Sequence, residues 1–205
     1  MKDQGILIVV SGPSGAGKGT ICDALRAMYP NLVYSVSMTT RQPRNGEVDG
    51  VNYFFTPYEK FEKMIENDEF LEHARVYDHY YGTPKSYVFN LLNAGKNVML
   101  EIDIQGAMQV KERFSSGVFI YIVPPSLEVL SGRLRARGTD SDTVIDRRLS
   151  VVSQELTLAH RYDYIVVNDV LEDAISKVAA ILVAESCKIT RNKERINDIY
   201  ENYIK

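Results

Sequence analysis

Tryptophan is absent from the 205 residues, histidine occurs three times and cysteine twice. Cys22 and Cys187 lie far apart and lack metal-ligand spacing, which excludes a disulfide framework or a zinc module and predicts reduced structural thiols of a cytosolic protein. His73, His79 and His160 show no metal spacing either and read as surface or structural residues. A basic surplus is also missing: 24 Lys and Arg stand against 27 Asp and Glu, a net charge of −3. That balance argues against a nucleic-acid footprint. No apolar run approaches a membrane span, and the apolar stretch in MKDQGILIVV is too short for a signal peptide. Repeats, low-complexity tracts and interdomain linkers are likewise missing. A soluble intracellular protein is expected.

What is present begins at residue 6. Ile6 to Val10 is an unbroken aliphatic run that reads as a strand buried on both faces. It enters the turn Gly12, Pro13, Ser14, Gly15, Ala16, Gly17, followed by Lys18, Gly19 and Thr20. Ile21, Ala24, Leu25 and Met28 then fall on one helical face. Strand, glycine loop, lysine and helix in this order form a phosphate-binding loop. Glycines let successive backbone N–H groups converge, and the first helical turn adds unpaired N–H groups and its positive dipole end. Lys18 supplies charge for the β- and γ-phosphates, and a hydroxyl can reach Mg²⁺. Gly19 stands where the general pattern has Ser or Thr, so the hydroxyl falls to Thr20. The K-G-T ending resembles nucleoside monophosphate kinases more than GTPases or ATPase motors. A nucleoside triphosphate is the expected ligand.

Further strands are expected at Leu32 to Ser37, Asn97 to Ile104, Val118 to Val123 and Tyr164 to Val167, separated by helical segments. Such βαβ units build a parallel sheet, an α/β fold with helices on both faces. Residues 39–50 form a loop, and VNYFF reads as a strand of a small antiparallel sheet. Thr56 is expected to cap a helix with Pro57 in its first position and Glu59 at the capping-box spacing. A second helix is expected over 84–94, stopped by Gly95. Residues 126–160 are helical and arginine-rich, broken by a turn-forming tip at 137–143. The last helical stretch, 172–203, offers Ile189, Ile196, Ile199 and Tyr203 as packing points. One domain thus carries a core of about 1–36, 94–125 and 161–205, with inserted pieces of about 37–93 and 126–160.

Arg41 and Arg44, three apart in a loop, can each make two-pronged bonds to phosphate oxygens, and Tyr53 and Tyr81 can add phenolic donors. With GPSGAGKGT, the segments SVSMTTRQPRNGEVDGVNYFF, NDEFLEHARVYDHYYGTP, EIDIQG and RLRARGTDS…RRL, and the later VND, occur in an order and spacing that closely resemble guanylate kinase over about residues 6–185. The resemblance implies a P-loop three-layer sandwich with a parallel core sheet, a GMP-binding subdomain at 37–93 and a helical lid at 126–160. Ser37, Arg41, Arg44, Tyr53 and Tyr81 would hold the phosphate of GMP. Glu72 would accept two hydrogen bonds from guanine, and Thr83 would reach its carbonyl oxygen. Asp103 would stand between acceptor and metal. Arg133, Arg137 and Arg148 would close over the phosphates, and Asn168 would lie near the adenine of ATP. Glu101, on the strand face of Asp103, would orient water on Mg²⁺ or serve structurally.

The reaction implied is ATP + GMP ⇌ ADP + GDP with Mg²⁺, dGMP being a further acceptor. Lys18, Arg41, Arg44, Arg137 and Arg148 would be its catalytic cations, with Thr20 as the protein's direct contribution to the metal. The acceptor phosphate is already nucleophilic, so no general base is required. Two alternatives share the scaffold: a sibling kinase for another nucleotide or sugar phosphate, and an inactive module that binds phosphorylated proteins. Nothing in the composition of the tail decides whether it packs on the core or mediates self-association.

Overall fold

Five strands, every pair parallel, form the central sheet: β1 (Leu7–Ser11), β2 (Leu32–Tyr34), β7 (Asn97–Glu101), β8 (Val118–Val123) and β9 (Tyr164–Val167), in the order β2-β7-β1-β8-β9. The computed structural model describes residues 4–76, 78–136 and 141–203. Every residue of β1 and β8 is buried, because each lies inside the sheet with helices on both faces, which explains their uninterrupted apolar runs. Ile8 and Val10 point to one layer, with Ile21, Leu25 and Val178 from α1 (Lys18–Met28) and α7 (Leu171–Ser186). Leu7 and Val9 point to the other, with Val88, Leu92, Ala107 and Val110 from α3 (Lys85–Asn93) and α4 (Ile104–Arg113). The expected three layers are present.

Between β2 and β7 the chain builds a second sheet from β3 (Met38–Thr39), β4 (Phe54–Phe55), β5 (Phe70–Val76) and β6 (His79–Pro84), in the order β4-β3-β6-β5. It is mixed rather than antiparallel as expected, because β3 and β4 run parallel while β6 is antiparallel to both β3 and β5. A long loop returns the chain in the original direction before β4, and this connection fixes the parallel pairing. One edge of the sheet is fastened to α4. Gln109 accepts from the His73 N–H at 3.1 Å and donates to the His73 carbonyl at 3.0 Å, and Arg113 donates to the Leu71 carbonyl at 3.0 Å.

Several local expectations shift. The second strand ends at Tyr34 rather than Ser37, and the strand from Asn97 ends at Glu101 rather than Ile104. The first spans Leu7–Ser11. Helix α2 (Tyr58–Glu66) starts after Pro57, which holds the N-cap position with no side-chain cap bond. Thr56 does not cap it; its hydroxyl is buried without a partner. Helix α3 begins after Pro84, and Gly95, at φ +74°, ends the turn beyond it. That left-handed conformation costs glycine least.

The arginine-rich region forms α5 (Leu127–Ala136) and α6 (Asp142–Leu156), which share a small core of Leu130, Leu134, Ile145 and Val152. After α7 the chain is tied back by Glu185, a carboxylate only 1% exposed that pairs with Lys188 and Arg191 and accepts from the Tyr164 hydroxyl. Beyond it, Ile189 and, in α8 (Lys193–Tyr203), Ile196, Ile199 and Tyr203 are exposed rather than packed. Ile196 and Ile199 border a cleft with Gly5, Ile6 and Asn97 but are not buried in it. Among the described residues no helix is long and apolar enough to cross a membrane.

Candidate active site

The glycine loop lies at the C-terminal end of β1, between the ends of β7 and β8, where open parallel sheets leave a crevice. Glycine is required at two points for different reasons. Gly12 has φ +142°, and a Cβ there would fall 2.0 Å from the Ile122 carbonyl oxygen. Gly17 has φ +92°, and its Cβ would fall 2.3 Å from Asn168 Nδ2. With these turns made, α1 starts at Lys18 without any side-chain cap. Its first N–H groups are therefore open to an anion. Lys18 Nζ folds back onto the loop, donating to the carbonyls of Gly12 at 2.6 Å and Pro13 at 3.0 Å. Burial holds its ammonium below the ordinary value, while the carboxylates of Glu101, Glu155 and Asp103 pull the other way.

The α5–α6 pair leans on this loop. Leu130 and Leu134 meet the space beside Gly15. Arg148 of α6 donates to Ser14 Oγ at 3.1 Å, and Arg133 of α5 donates to the Asn168 carbonyl at 3.0 Å. Arg137 lies outside the described residues. Asn168 is placed behind the loop, 5% exposed, with its amide donating to the Ala16 carbonyl at 2.7 Å.

The second sheet brings together the other group. Its register sets Glu72 opposite Thr83. The Glu72 carboxylate is buried and accepts from the Thr83 hydroxyl at 2.6 Å. In this structure Thr83 therefore serves Glu72 instead of presenting its proton outward. Burial pushes the Glu72 carboxyl up to about 7, the Thr83 bond pulls it down, and Asp103 adds to the rise. Asp103 is not on a strand face with Glu101. It stands at the N-cap of α4 and accepts from the Gly106 N–H at 2.8 Å. Gly106 is flanked by both acids, since a Cβ there would meet Glu72 Oε2 at 3.1 Å and Asp103 Oδ1 at 3.4 Å.

Arg41 is held by a partner that sequence reasoning missed. Glu47 takes both prongs of its guanidinium, at 2.8 and 2.9 Å, and also accepts from the Arg44 backbone N–H at 2.7 Å. Hydrogen bonding to Arg41 holds the Glu47 carboxyl down to about 2. The guanidinium lies over the rings of Tyr53 and Phe55, and Tyr53 packs edge-on against Tyr81. Arg44 is exposed beside them. Ser37 precedes β3, and its carbonyl accepts from the Phe54 N–H at 2.9 Å. Arg41, Tyr53 and Tyr81 thus lie side by side. The signal for Glu47 was available in RNGE, where a carboxylate follows the arginine pair. Glu155, on α6 and facing the Lys18 charge, had no sequence signal.

The donors at the loop end suit a small hard cation: the exposed Thr20 hydroxyl, and the carboxylates of Glu101 and Asp103. Glu101 accepts from the Tyr34 hydroxyl at 3.3 Å, and its oxygens lie 3.6 and 3.7 Å from where a Gly19 Cβ would stand. It therefore faces the space that the usual loop hydroxyl would use. Among the described residues no three His, Cys, Asp or Glu are gathered to hold a metal by themselves. A divalent ion fits here as one shared with phosphates and water.

A family model for guanylate kinase matches residues 4–185. A guanylate kinase of Caldanaerobacter subterraneus subsp. tengcongensis is 54% identical over 204 residues, covering 100% of this chain and 99% of the relative. One from Halalkalibacterium halodurans is 50% identical over 200 residues, covering 98% of each. The crystal structure of guanylate kinase from Anaplasma phagocytophilum aligns with a TM-score of 0.72 at 34% identity, covering 93% of this chain and 90% of that one.

Proposed function

The chain belongs to the guanylate kinase family, and from that membership we propose which of its residues perform the transfer of phosphate from ATP to GMP. It is an ATP:GMP phosphotransferase, a nucleoside monophosphate kinase. We assign ATP to the loop of residues 12–20 with Arg133 and Asn168, and GMP to the insert of about 37–93 together with Asp103. The region of about 126–160 is assigned as the lid. The observation that carries the assignment is the buried Glu72–Thr83 pair, fastened by α4 beside the strand ends that bear the loop. A buried carboxylate suits a planar base with two neighbouring donors, and guanine has such an edge.

In the transfer, the oxygen of the GMP phosphate attacks the γ-phosphorus of ATP. The bond to the β-bridging oxygen breaks, and ADP leaves with that electron pair. Lys18 and the loop N–H groups hold the donor phosphates, and Arg148, with Arg137, meets the charge on the transferred group. Arg41 and Arg44 reduce repulsion from the acceptor phosphate, with Tyr53, Tyr81 and Ser37 completing its cradle. Thr20, with Glu101 and Asp103 acting through water, would hold a divalent ion, Mg²⁺ in this reading, which would supply positive charge to the phosphates. Guanine selectivity follows from Glu72, because a base without matching donors leaves a buried carboxylate unpaired. The free thiols Cys22 and Cys187 support a cytoplasmic setting.

The test is ADP release from ATP and Mg²⁺ with GMP, dGMP, AMP, UMP, CMP and ribose phosphates offered in turn. A strong rate with GMP, a weaker one with dGMP and background elsewhere is expected. A faster rate with another acceptor would overturn the placement of guanine against Glu72.

A further inference from the structure

Three elements meet at Asn168. It follows β9 directly, and its backbone N–H donates to the Val123 carbonyl at 2.8 Å. Its side-chain amide donates to the Ala16 carbonyl at 2.7 Å, and a Cβ on Gly17 would strike the same Nδ2 at 2.3 Å. Arg133 of α5 donates to its carbonyl at 3.0 Å. The glycine loop, the edge of the core sheet and the first lid helix therefore share one residue.

We propose that Asn168 is a positioning residue that holds the glycine loop in its phosphate-ready shape, so that it acts on the triphosphate through the loop rather than by reading the adenine ring. This inference rests on the phosphate-transfer reading above. A loop that turns its N–H groups towards an anion turns carbonyls away from it, and those carbonyls need donors. Ala16 is fully buried, so water does not serve its carbonyl, and the Asn168 amide does. Gly15 and Gly17, on either side, both have φ +92°. Such a turn has no ladder to hold it, and this bond ties it to the residue that follows the edge strand. The side chain is 5% exposed, with one face against Gly17, so little of it is left to present to a base.

The experiment is calorimetric binding of inorganic triphosphate, ATP and GMP to the wild-type chain, Asn168→Ala and Asn168→Asp. Asp keeps the shape but turns an acceptor towards the Ala16 carbonyl. Inorganic triphosphate has no base, so it separates the two roles. Expected is a loss of about tenfold or more, equal for triphosphate and ATP, as follows when a buried acceptor loses its donor. GMP affinity should stay within about twofold, which a general loss of folding would not allow. Weaker ATP with unchanged triphosphate would overturn the proposal in favour of base recognition, as would unchanged affinity for both. Should Asn168→Ala fail to fold, the isosteric Asn168→Asp carries the same comparison. A wild-type chain that binds no triphosphate and transfers none to GMP would overturn the phosphate-transfer reading, and this inference with it. A working wild type with indifferent variants overturns this inference alone.

Discussion

In the assignment proposed above, the glycine loop and the second sheet share one task, holding a phosphorylated nucleotide, with opposite materials. The loop works through backbone: glycines at positive φ, uncapped N–H groups and one lysine. Its tolerances are steric, since a single added carbon at Gly12 or Gly17 lands within 2.3 Å of another atom. The second sheet works through side chains, and those side chains are paired with one another: Arg41 with Glu47, Glu72 with Thr83. Phosphate is common to every nucleotide, and main-chain N–H groups suffice to bind it. Selecting one base requires particular donors and acceptors, and these must be kept satisfied inside the fold. The loop thus takes its shape chiefly from one short stretch of backbone, whereas the second sheet assembles its polar pairs from separate segments.

Removing the one charged side chain of the loop is the strongest way to test this contrast. Lys18→Met should lower kcat by about a thousandfold, as expected when a cation on the transferring phosphate is lost. GMP affinity measured without ATP should hold. An equal loss of GMP binding would mean that the two ends are not separable. The converse change, Glu72→Gln, should reduce kcat/KM for GMP by about a hundredfold, the scale expected for a mismatched buried hydrogen-bonding group. The KM for ATP should stay within about twofold. Loss shared equally between the nucleotides would break the comparison.

The pH profile sharpens it further. In the free site burial raises the Glu72 carboxyl to about 7 from an ordinary 4.5, whereas the guanine edge needs an ionised acceptor. Affinity for GMP should therefore fall as pH drops below 7, approaching about tenfold per unit, since one proton must leave on binding. Glu72→Gln should remove that component and leave only the titration of the GMP phosphate. A profile identical in wild type and variant would show that Glu72 does not titrate there. For folding the same shift has the opposite sense. A carboxyl raised in the folded state favours the fold fully below 4.5, and that contribution is lost as pH rises towards 7.

The smallest effect belongs to neither end. Ile199 on α8 is 52% exposed, so Ile199→Ser should change stability by no more than about 0.5 kcal/mol, as for other surface positions. A loss of several degrees in Tm at dilute concentration would show that the stripe is covered.

The residues whose roles depend on nearest neighbours in sequence were legible without coordinates. Strand, loop, Lys18 and helix form one uninterrupted stretch, and backbone geometry there is dictated by local glycines. The buried runs of β1 and β8 are equally local in origin, and the arginine pair could be marked because its members lie three positions apart. Tertiary structure decided what lies across from what. The pairing of Glu72 with Thr83 depends on hairpin register, and the nearness of Glu72 to Asp103 on Gln109 and Arg113 fastening one sheet to α4. Asn168 reaches Ala16 across 152 positions. Asp103 moved from a strand face to a helix cap because its strand ended two residues earlier. Thr56 lost its cap to Pro57, and the apolar residues of the tail stayed exposed. Sequence alone determined the order of strand, glycines, Lys18 and helix because these are neighbours in the chain, while the Asn168 bond to Ala16 had to come from the fold. Only the folded chain could determine the Glu72 and Arg41 sites, because there each polar group is defined by a partner that the chain brings from elsewhere.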